Sequence, residues 1–329
     1  MNSTRSAPPS ERALTPAAAR TGLRSPGSIS VRGLTQSFGD KVALAPLDLD
    51  IEPGGVIGLL GPNGSGKSTF MRLLVGLVPL QAGEIWVDGL RLEGDGVEIR
   101  QRTTYAPGEL HLYGELRGRD QIAFLLRGRD RATRRRAEAT AEGMGLPLDK
   151  RVRGYSHGMK RQLVFAAAMA PDVRIRILDE ISEGLDPAKR SEVLDLIEAD
   201  AKSGTTILLS SHHLGEVDRS CERLVFINAG KLIADETASS VSERAARIVR
   251  VTYPEGVNLD DVPRALGESV AESMRVEGRQ LHVMLETDDP RAFLEALGAN
   301  RSLPAPVAIE HGKLSLRELY RSLYGVEGT

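Results

Sequence analysis

The chain is short of several things. One cysteine, Cys221, occurs in 329 residues, so no disulfide can form within the chain and a reducing compartment suits it. Aromatic residues make up only 4%, too few for the stacking platforms that hold single-stranded nucleic acid. Lys and Arg number 43 against 45 Asp and Glu, a net charge of −2. The basic field of a dedicated nucleic-acid binder is missing, so no nucleic-acid partner is expected. No apolar run approaches the roughly 18 residues that span a bilayer. The longest, Leu163 to Ala170, reads as a buried helix. No internal repeat or heptad array stands out. The first 28 residues carry Arg5, Arg12, Arg20 and Arg24 among Ser, Pro and Ala, with no apolar segment. That pattern argues against a secretory leader and predicts a disordered tail at 1–28.

What is present is globular. Hydrophobic residues are 41% and charged residues 27%, and the length suits about two domains at roughly 150 residues each. Ile29 to Arg32 and Leu47 to Ile51 alternate like half-buried strands. Val56 to Leu60 is a continuous apolar run, the mark of a strand covered on both faces. A glycine-rich stretch follows, and then Phe70, Met71, Leu73, Leu74 and Leu77 recur at helical spacing. Strand, glycine loop and helix in that order open an α/β nucleotide-binding domain. Residues near 115 to 165 read as helical, with Arg131, Arg134, Arg135 and Arg136 on a solvated face. Past residue 238 the texture changes. Arg247 to Tyr253, Leu281 to Leu285 and the Val307, Ile309 pair predict three strands. Asp289 is expected to cap a helix that starts at Pro290 and stops before Gly298. Ser315-Leu316-Arg317-Glu318 reads as a capping box for a final helix.

The stretch Gly61-Pro62-Asn63-Gly64-Ser65-Gly66-Lys67-Ser68-Thr69 fits the phosphate-loop pattern. Its glycines let backbone N–H groups turn inward around a phosphate, and the helix that follows adds its positive end. Lys67 would reach the β- and γ-phosphates, and the Ser68 hydroxyl suits Mg2+, a hard cation that takes oxygen ligands. Val173 to Leu178 is a strand ending in Asp179-Glu180. Neighbours on a strand face opposite ways, so the two carboxylates can divide the work. Asp179 would hold Mg2+, usually through its water, and Glu180 would take a proton from the attacking water. Arg174 and Arg176 are unusual in such a strand.

These residues resemble the ATP-binding cassette (ABC) ATPases. The resemblance covers about residues 29 to 238 and rests on motif order. Tyr155-Ser156-His157-Gly158-Met159 is similar to the family signature usually written L-S-G-G-Q. Arg176 to Glu180 followed by Gly184-Leu185-Asp186-Pro187 resembles the Walker B strand and D-loop, and Ser210-Ser211-His212 the switch histidine. The resemblance implies a P-loop NTPase fold with a helical subdomain at about 110–165 inside an ATPase domain at 29–238. A small α+β accessory domain at 239–329 would follow. It implies ATP as ligand with Mg2+, Phe38 stacked on adenine, and His212 hydrogen-bonded to the γ-phosphate. Ser156 and Gly158 would meet the γ-phosphate held by a second ATPase subunit, identical or not, in a head-to-tail dimer. Asp186 would align that interface. A separate integral membrane permease is implied, with the ATPase on the cytoplasmic face of the membrane.

The departures are local. Tyr105-Ala106-Pro107-Gly108-Glu109 stands where the family has a glutamine loop. Gly108 takes the glutamine position, and glycine has no side chain to ligate metal, which leaves Glu109 or water for that task. His157, Met159 and Ile181 replace the usual glycine, glutamine and proline. None of these removes a reacting group, so hydrolysis is expected; a regulatory or non-transport ATPase with weak or no hydrolysis is the alternative. Leu110, Leu112, Tyr113 and Leu116 follow the altered loop, in the region that receives a coupling helix in relatives, although ordinary core packing would use the same residues. Leu316 to Gly325 resembles the ending of drug, sodium and polysaccharide exporter ATPases. A DNA-repair ATPase would need a long heptad insertion, yet 112 positions separate Lys67 from Asp179 without heptads. A ribosome-associated protein would carry two cassettes, and a GTPase an Asn-Lys-x-Asp motif; neither is present. Cys221 reads as a small buried residue. His111, His157, His282 and His311 lack metal-ligand spacing.

Overall fold

The structure is a computed structural model that describes residues 24–211, 220–260, 262–267, 271–300 and 303–312. His212, His213, the bulk of the N-terminal tail and the helix expected from Ser315 lie outside the described residues.

The centre is a six-stranded sheet. Its strands are β3 (Gly55–Leu60), β6 (Thr103–Ala106), β7 (Ile175–Asp179), β8 (Thr206–Ser211), β9 (Arg223–Asn228) and β10 (Lys231–Thr237), in the order β10-β9-β3-β8-β7-β6. All neighbours are parallel except the β9–β10 hairpin. Successive residues of β3 enter different cores: Val56 and Leu60 pack with the helices, Ile57 and Leu59 against a second sheet. That double coverage is why the run is apolar throughout. The second sheet is antiparallel, in the order β2-β1-β4-β5, from β1 (Ile29–Phe38), β2 (Lys41–Ile51), β4 (Ala82–Val87) and β5 (Leu90–Arg91). Leu47, Leu49 and Ile51 alternate inward as expected. In β1, Ile29, Ser30 and Val31 are all buried, because the Ser30 hydroxyl donates to Asp50 Oδ1 at 2.7 Å and so tolerates burial. Residues 24–28, expected in the tail, are held in place. Gly27 N–H donates to Asp88 Oδ1 at 2.7 Å, and the Arg24 guanidinium sits 4.1 Å from the Trp86 ring centre.

Helices α1 (Lys67–Leu74), α2 (Val97–Arg102), α3 (Gly118–Leu125), α4 (Arg131–Gly143), α5 (His157–Met169) and α6 (Pro187–Lys202) complete this body. Side chains start three of them: Asp130, Ser156 and Asp186 accept from the backbone N–H three residues on. Arginines finish others by donating to terminal carbonyls, where the helix dipole is negative. Arg100 donates to Val75 O at 2.9 Å beyond α1, and Arg129 to Gln101 O at 2.8 Å at the end of α2. Arg136, assigned to a solvated face, donates to Ala170 O at 2.9 Å beyond α5. The Arg176 puzzle has the same answer. Its side chain is buried on the helix side of β7, donating to Ala168 O at 2.7 Å and Pro171 O at 3.0 Å and pairing with Asp200 of α6 at 2.6 Å. Arg174 precedes the strand, is exposed, and lies 3.7 Å from Asp88.

The helix-side core runs on past residue 238 through α7 (Ala238–Ala246), burying Ala238, Val241, Ala245 and Ile248. A separate core then forms around Val249, Val251, Leu281, Val283 and Phe293. Its sheet has four strands where three were expected: β11 (Ile248–Thr252), β12 (Ser273–Glu277), β13 (Gln280–Met284) and β14 (Ala308–His311), antiparallel in the order β12-β13-β11-β14. The missed strand β12 has only two apolar residues, but its turn, Gly278-Arg279 with Gly278 at φ 58°, was a readable hairpin signal. A five-residue helix, α8 (Val262–Leu266), also contributes to this core. Helix α9 (Arg291–Ala299) corrects a further expectation. Asp289 accepts from Arg291 N–H at 3.1 Å as a two-residue Asx turn, Pro290 is the N-cap, and Gly298 lies inside the helix rather than beyond it.

Candidate active site

Parallel pairing brings the carboxyl ends of β3, β7 and β8 to one edge: Leu60 pairs with Ser211, and Asp179 with Ser210. Ligands in open α/β sheets bind at that edge. The loop from Gly61 to Gly66 leaves β3 there and enters α1, whose N-cap is Gly66 with no side-chain cap. The first N–H groups of α1 therefore face an anion without a competing side chain. Glycine is required at two points by close approach. A Cβ on Gly61 would stand 2.1 Å from Ile227 O, and one on Gly66, at φ 111°, 2.7 Å from Ala43 O. From the β9–β10 turn, Gly230 N–H donates to Ser65 O at 2.9 Å and braces the loop from behind. The Ser65 hydroxyl is buried with no partner among the described residues, as fits a loop built to receive phosphate oxygens.

A cleft of about 330 Å³ opens at the loop, lined by Phe38, Lys41, Ala43, Asn63 to Thr69 and Glu180. Lys67 is buried and donates to Gly61 O at 2.8 Å and Pro62 O at 3.1 Å, with Glu180 Oε1 at 4.0 Å. Burial pushes its ammonium below the ordinary lysine range, while Glu180 and Asp179 pull it back up. Phe38 ends β1 beside the cleft, half-exposed at 51%. A large exposed aromatic at a cleft mouth has a free ring face for a purine. We expect Phe38→Ala to weaken ATP binding roughly tenfold, since stacking on a base contributes about 1–3 kcal/mol. The rate at saturating ATP should stay unchanged, as titration with a fluorescent ATP analogue beside steady-state kinetics would check.

Asp179 is fully buried at the end of β7. Its Oδ1 accepts from the Ser210 hydroxyl at 2.6 Å, and that hydroxyl accepts from Glu180 N–H at 2.8 Å, so one serine fixes both acidic residues. The Tyr105 hydroxyl is 3.4 Å from Asp179 Oδ2. Burial pushes the Tyr105 phenol up to about 12, and the Asp179 charge adds to the rise, so it stays a donor. The Arg72 guanidinium of α1 lies near enough to oppose that rise. Glu180 has left the strand: it adopts φ 48°, a left-handed conformation strained for a side-chain-bearing residue. The backbone turn, not strand alternation, separates the two carboxylates. Burial raises the Glu180 carboxyl above the ordinary range, against the pull of Lys67. A raised carboxyl is a better proton acceptor.

Ser156 is the exposed N-cap of α5, its hydroxyl accepting from Met159 N–H at 3.2 Å. A Cβ on Gly158 would be 3.0 Å from Gly184 O, and one on Gly184 2.6 Å from the His157 ring, so the signature and the D-loop pack directly together. Asp186 caps α6, accepting from Lys189 N–H at 3.0 Å. Ser156 and Gly158 do not line the cleft of their own chain. Glu109 is exposed, with Arg72 at 3.7 Å and His111 at 3.9 Å, and it too lies off the cleft. Gly108 is the residue that backs onto Asp179, where a Cβ would be 3.4 Å from Oδ2. His212 lies outside the described residues. Sequence reading missed Tyr105 as a partner of Asp179. Tyr105 opens the altered loop in sequence, but only the β6–β7 pairing sets it against Asp179.

A phosphate loop at the carboxyl edge of a parallel sheet, with a fixed Asp-Glu pair beside its lysine, defines a P-loop nucleotide-binding ATPase. Residues 44–183 match the family model described as ABC transporter. The daunorubicin/doxorubicin resistance ATP-binding protein of Streptomyces peucetius is 28% identical over 305 residues, spanning 91% of this chain and 92% of its own length. A Nod factor export ATP-binding protein of Cupriavidus metallidurans is 30% identical over 307 residues, spanning 89% and 93%. A solved structure of an ATP-binding subunit of an ABC transporter superposes with a TM-score of 0.60 at 27% identity, covering 71% of this chain and 97% of that one. The chain belongs to the ATP-binding subunits of the ABC transporter family, and it binds and hydrolyses ATP.

Proposed function

We propose that the chain drives export through a separate membrane permease, two ATPase subunits closing head to tail on ATP. The observation that carries this reading is the lining of the cleft. It holds the phosphate loop, Phe38 and Glu180 but neither Ser156 nor Gly158. The exposed α5 tip is thereby available to a γ-phosphate held by a second copy. In this reading Gly61 to Thr69 cradle the phosphates, Phe38 stacks on adenine, Glu180 accepts the proton of the attacking water, and His212 orients that water. The export direction comes from the relatives, one a drug-resistance and one a Nod factor export protein. ATPase function is assigned to 29–238, with the helical part at 110–165, and the accessory unit to 239–329, whose opening helix α7 packs into the ATPase core.

Mg2+ fits the donor set. Ser68 and Asp179 offer hard oxygens, and among the described residues the one hydrogen bond to Asp179 Oδ2 is the 3.4 Å contact from Tyr105, which leaves lone-pair capacity there. Among the described residues no three Asp, Glu, His or Cys side chains form a metal cage. Ser68, Asp179, phosphate oxygens and water would therefore complete the shell, as Mg2+ prefers. Bound there, Mg2+ neutralises charge on the transferred phosphate. Glu109, paired with Arg72, is the weaker ligand of the two acids.

No helix among the described residues is long and apolar enough to cross a membrane. A groove of about 460 Å³ lined by Leu77, Tyr105, Pro107, Leu110, Leu112 and Leu125, among others, supports permease docking on the cytoplasmic face. Co-purification with the permease, followed by ATPase assay in lipid, tests the reading. Basal turnover should be slow and rise several-fold in the complex. A rate unmoved by the permease would refute the coupling.

A further inference from the structure

Arg161 heads the largest fully buried side chains, and nothing in the chemistry above uses it. A guanidinium stays charged at any working pH, so burial obliges it to find partners. It has two. Its Nη1 donates to Pro107 O at 3.2 Å, and Nη2 donates to Glu183 Oε2 at 3.2 Å. Burial draws its charge below the usual arginine range, and the carboxylates of Glu183, Glu180 and Asp179 oppose that. Glu183 in turn is tied to the catalytic turn. Its N–H donates to Glu180 O at 3.2 Å, and its carboxylate lies near enough to raise the Glu180 carboxyl. One side chain on α5 thus joins the helix that begins at Ser156, the loop that lines the groove, and the turn that carries Glu180. Pro107 immediately precedes Gly108, which has no side chain with which to make such a link.

We propose that Arg161 is a positioning residue: through Glu183 it holds the Glu180 carboxylate in its hydrolytic orientation, and through Pro107 it ties that orientation to the groove-lining loop. This rests on the reading of Glu180 as the base. Glu180 sits at a strained φ of 48°, and strained residues persist only where their surroundings over-determine them. Two adjacent carboxylates repel each other, and the Arg161 cation lets both remain in place. The contact with a backbone carbonyl matters as well. It makes the link depend on where the loop stands, not on which residue occupies position 108.

The test uses the full chain with Arg161→Met, Arg161→Lys, Glu183→Ala and the double variant Arg161→Met/Glu183→Ala. Arg161→Met and Glu183→Ala should each lower kcat about tenfold, with KM and equilibrium ATP binding within about twofold, the split expected of an interaction felt in the transition state. The double variant should be no slower than Arg161→Met, because the pair acts as one unit. Arg161→Lys should recover part of the rate. Wild-type kcat in Glu183→Ala, losses that multiply in the double variant, or a defect confined to ATP binding would overturn the proposal. Should Arg161→Met fail to fold, Glu183→Ala decides alone, since that carboxylate is 46% exposed. Glu180→Gln in the same assay separates the two readings. Turnover there refutes the base itself, whereas a dead Glu180→Gln beside a normal Glu183→Ala refutes only the role of Arg161.

Discussion

Glu180→Gln should lower ATP turnover by roughly 100-fold to 10,000-fold, the range lost with a positioned general base. The substitution keeps the side chain's size and meets the same backbone demand at φ 48°. The Ser210 hydroxyl bonds the backbone N–H of residue 180, so that contact survives. Binding should survive too, because in the proposed reading the glycine loop, Lys67 and the first turn of α1 hold the phosphates. ATP then accumulates unhydrolysed and keeps two subunits joined, since a ligand bound only by the closed pair stabilises it by mass action. Size-exclusion chromatography with Mg2+ and ATP should show a dimer for Glu180→Gln and mostly monomer for the wild type after hydrolysis. Turnover at the wild-type rate would remove Glu180 from the chemistry.

Arg176→Ala should cost about 3–5 kcal/mol of stability, the usual result of removing one partner of a buried ion pair. The Ala168 and Pro171 carbonyls lose their donor, and Asp200 loses its guanidinium. A cavity opens in addition, between β7, α5 and α6. At roughly 2–4 °C per kcal/mol for a domain of this size, the melting temperature should fall by about 10 °C. Arg176→Met with Asp200→Leu should recover part of that loss, because an apolar pair removes the stranded charge while the two carbonyls remain unpaired. Thermal melts of the three proteins would check this. A drop under about 2 °C in Arg176→Ala would show the clamp to be dispensable.

Much of the protein was legible because its signals are local. The phosphate loop reads directly: the tight turn needs glycines and the phosphates need Lys67 and Ser68, all within nine consecutive residues. The doubly covered strand β3 betrays itself by its unbroken apolar run. These readings depend on neighbours in the chain, so the order of residues suffices. The hairpin strand β12 was open to the same kind of reading through Gly278-Arg279, but its two apolar residues are too few to stand out.

The arginines show where local reading stops. Arg100, Arg129 and Arg161 have nothing in sequence to separate them from solvated side chains, and Arg176 shows there only as an oddity in an apolar strand, yet each donates to backbone carbonyls contributed by other elements. The same holds for the pairing of Asp179 with Ser210 and Tyr105, and for the left-handed turn that sets Glu180 apart. A charged group's role follows from which acceptors surround it once water has been excluded, and those acceptors arrive only when sheet and helices pack. Residue order alone determined that this chain carries a phosphate loop for a nucleoside triphosphate and an acid pair in the same domain. Tertiary packing alone decided how that pair is braced, because buried charges must be satisfied by whatever the fold brings within reach.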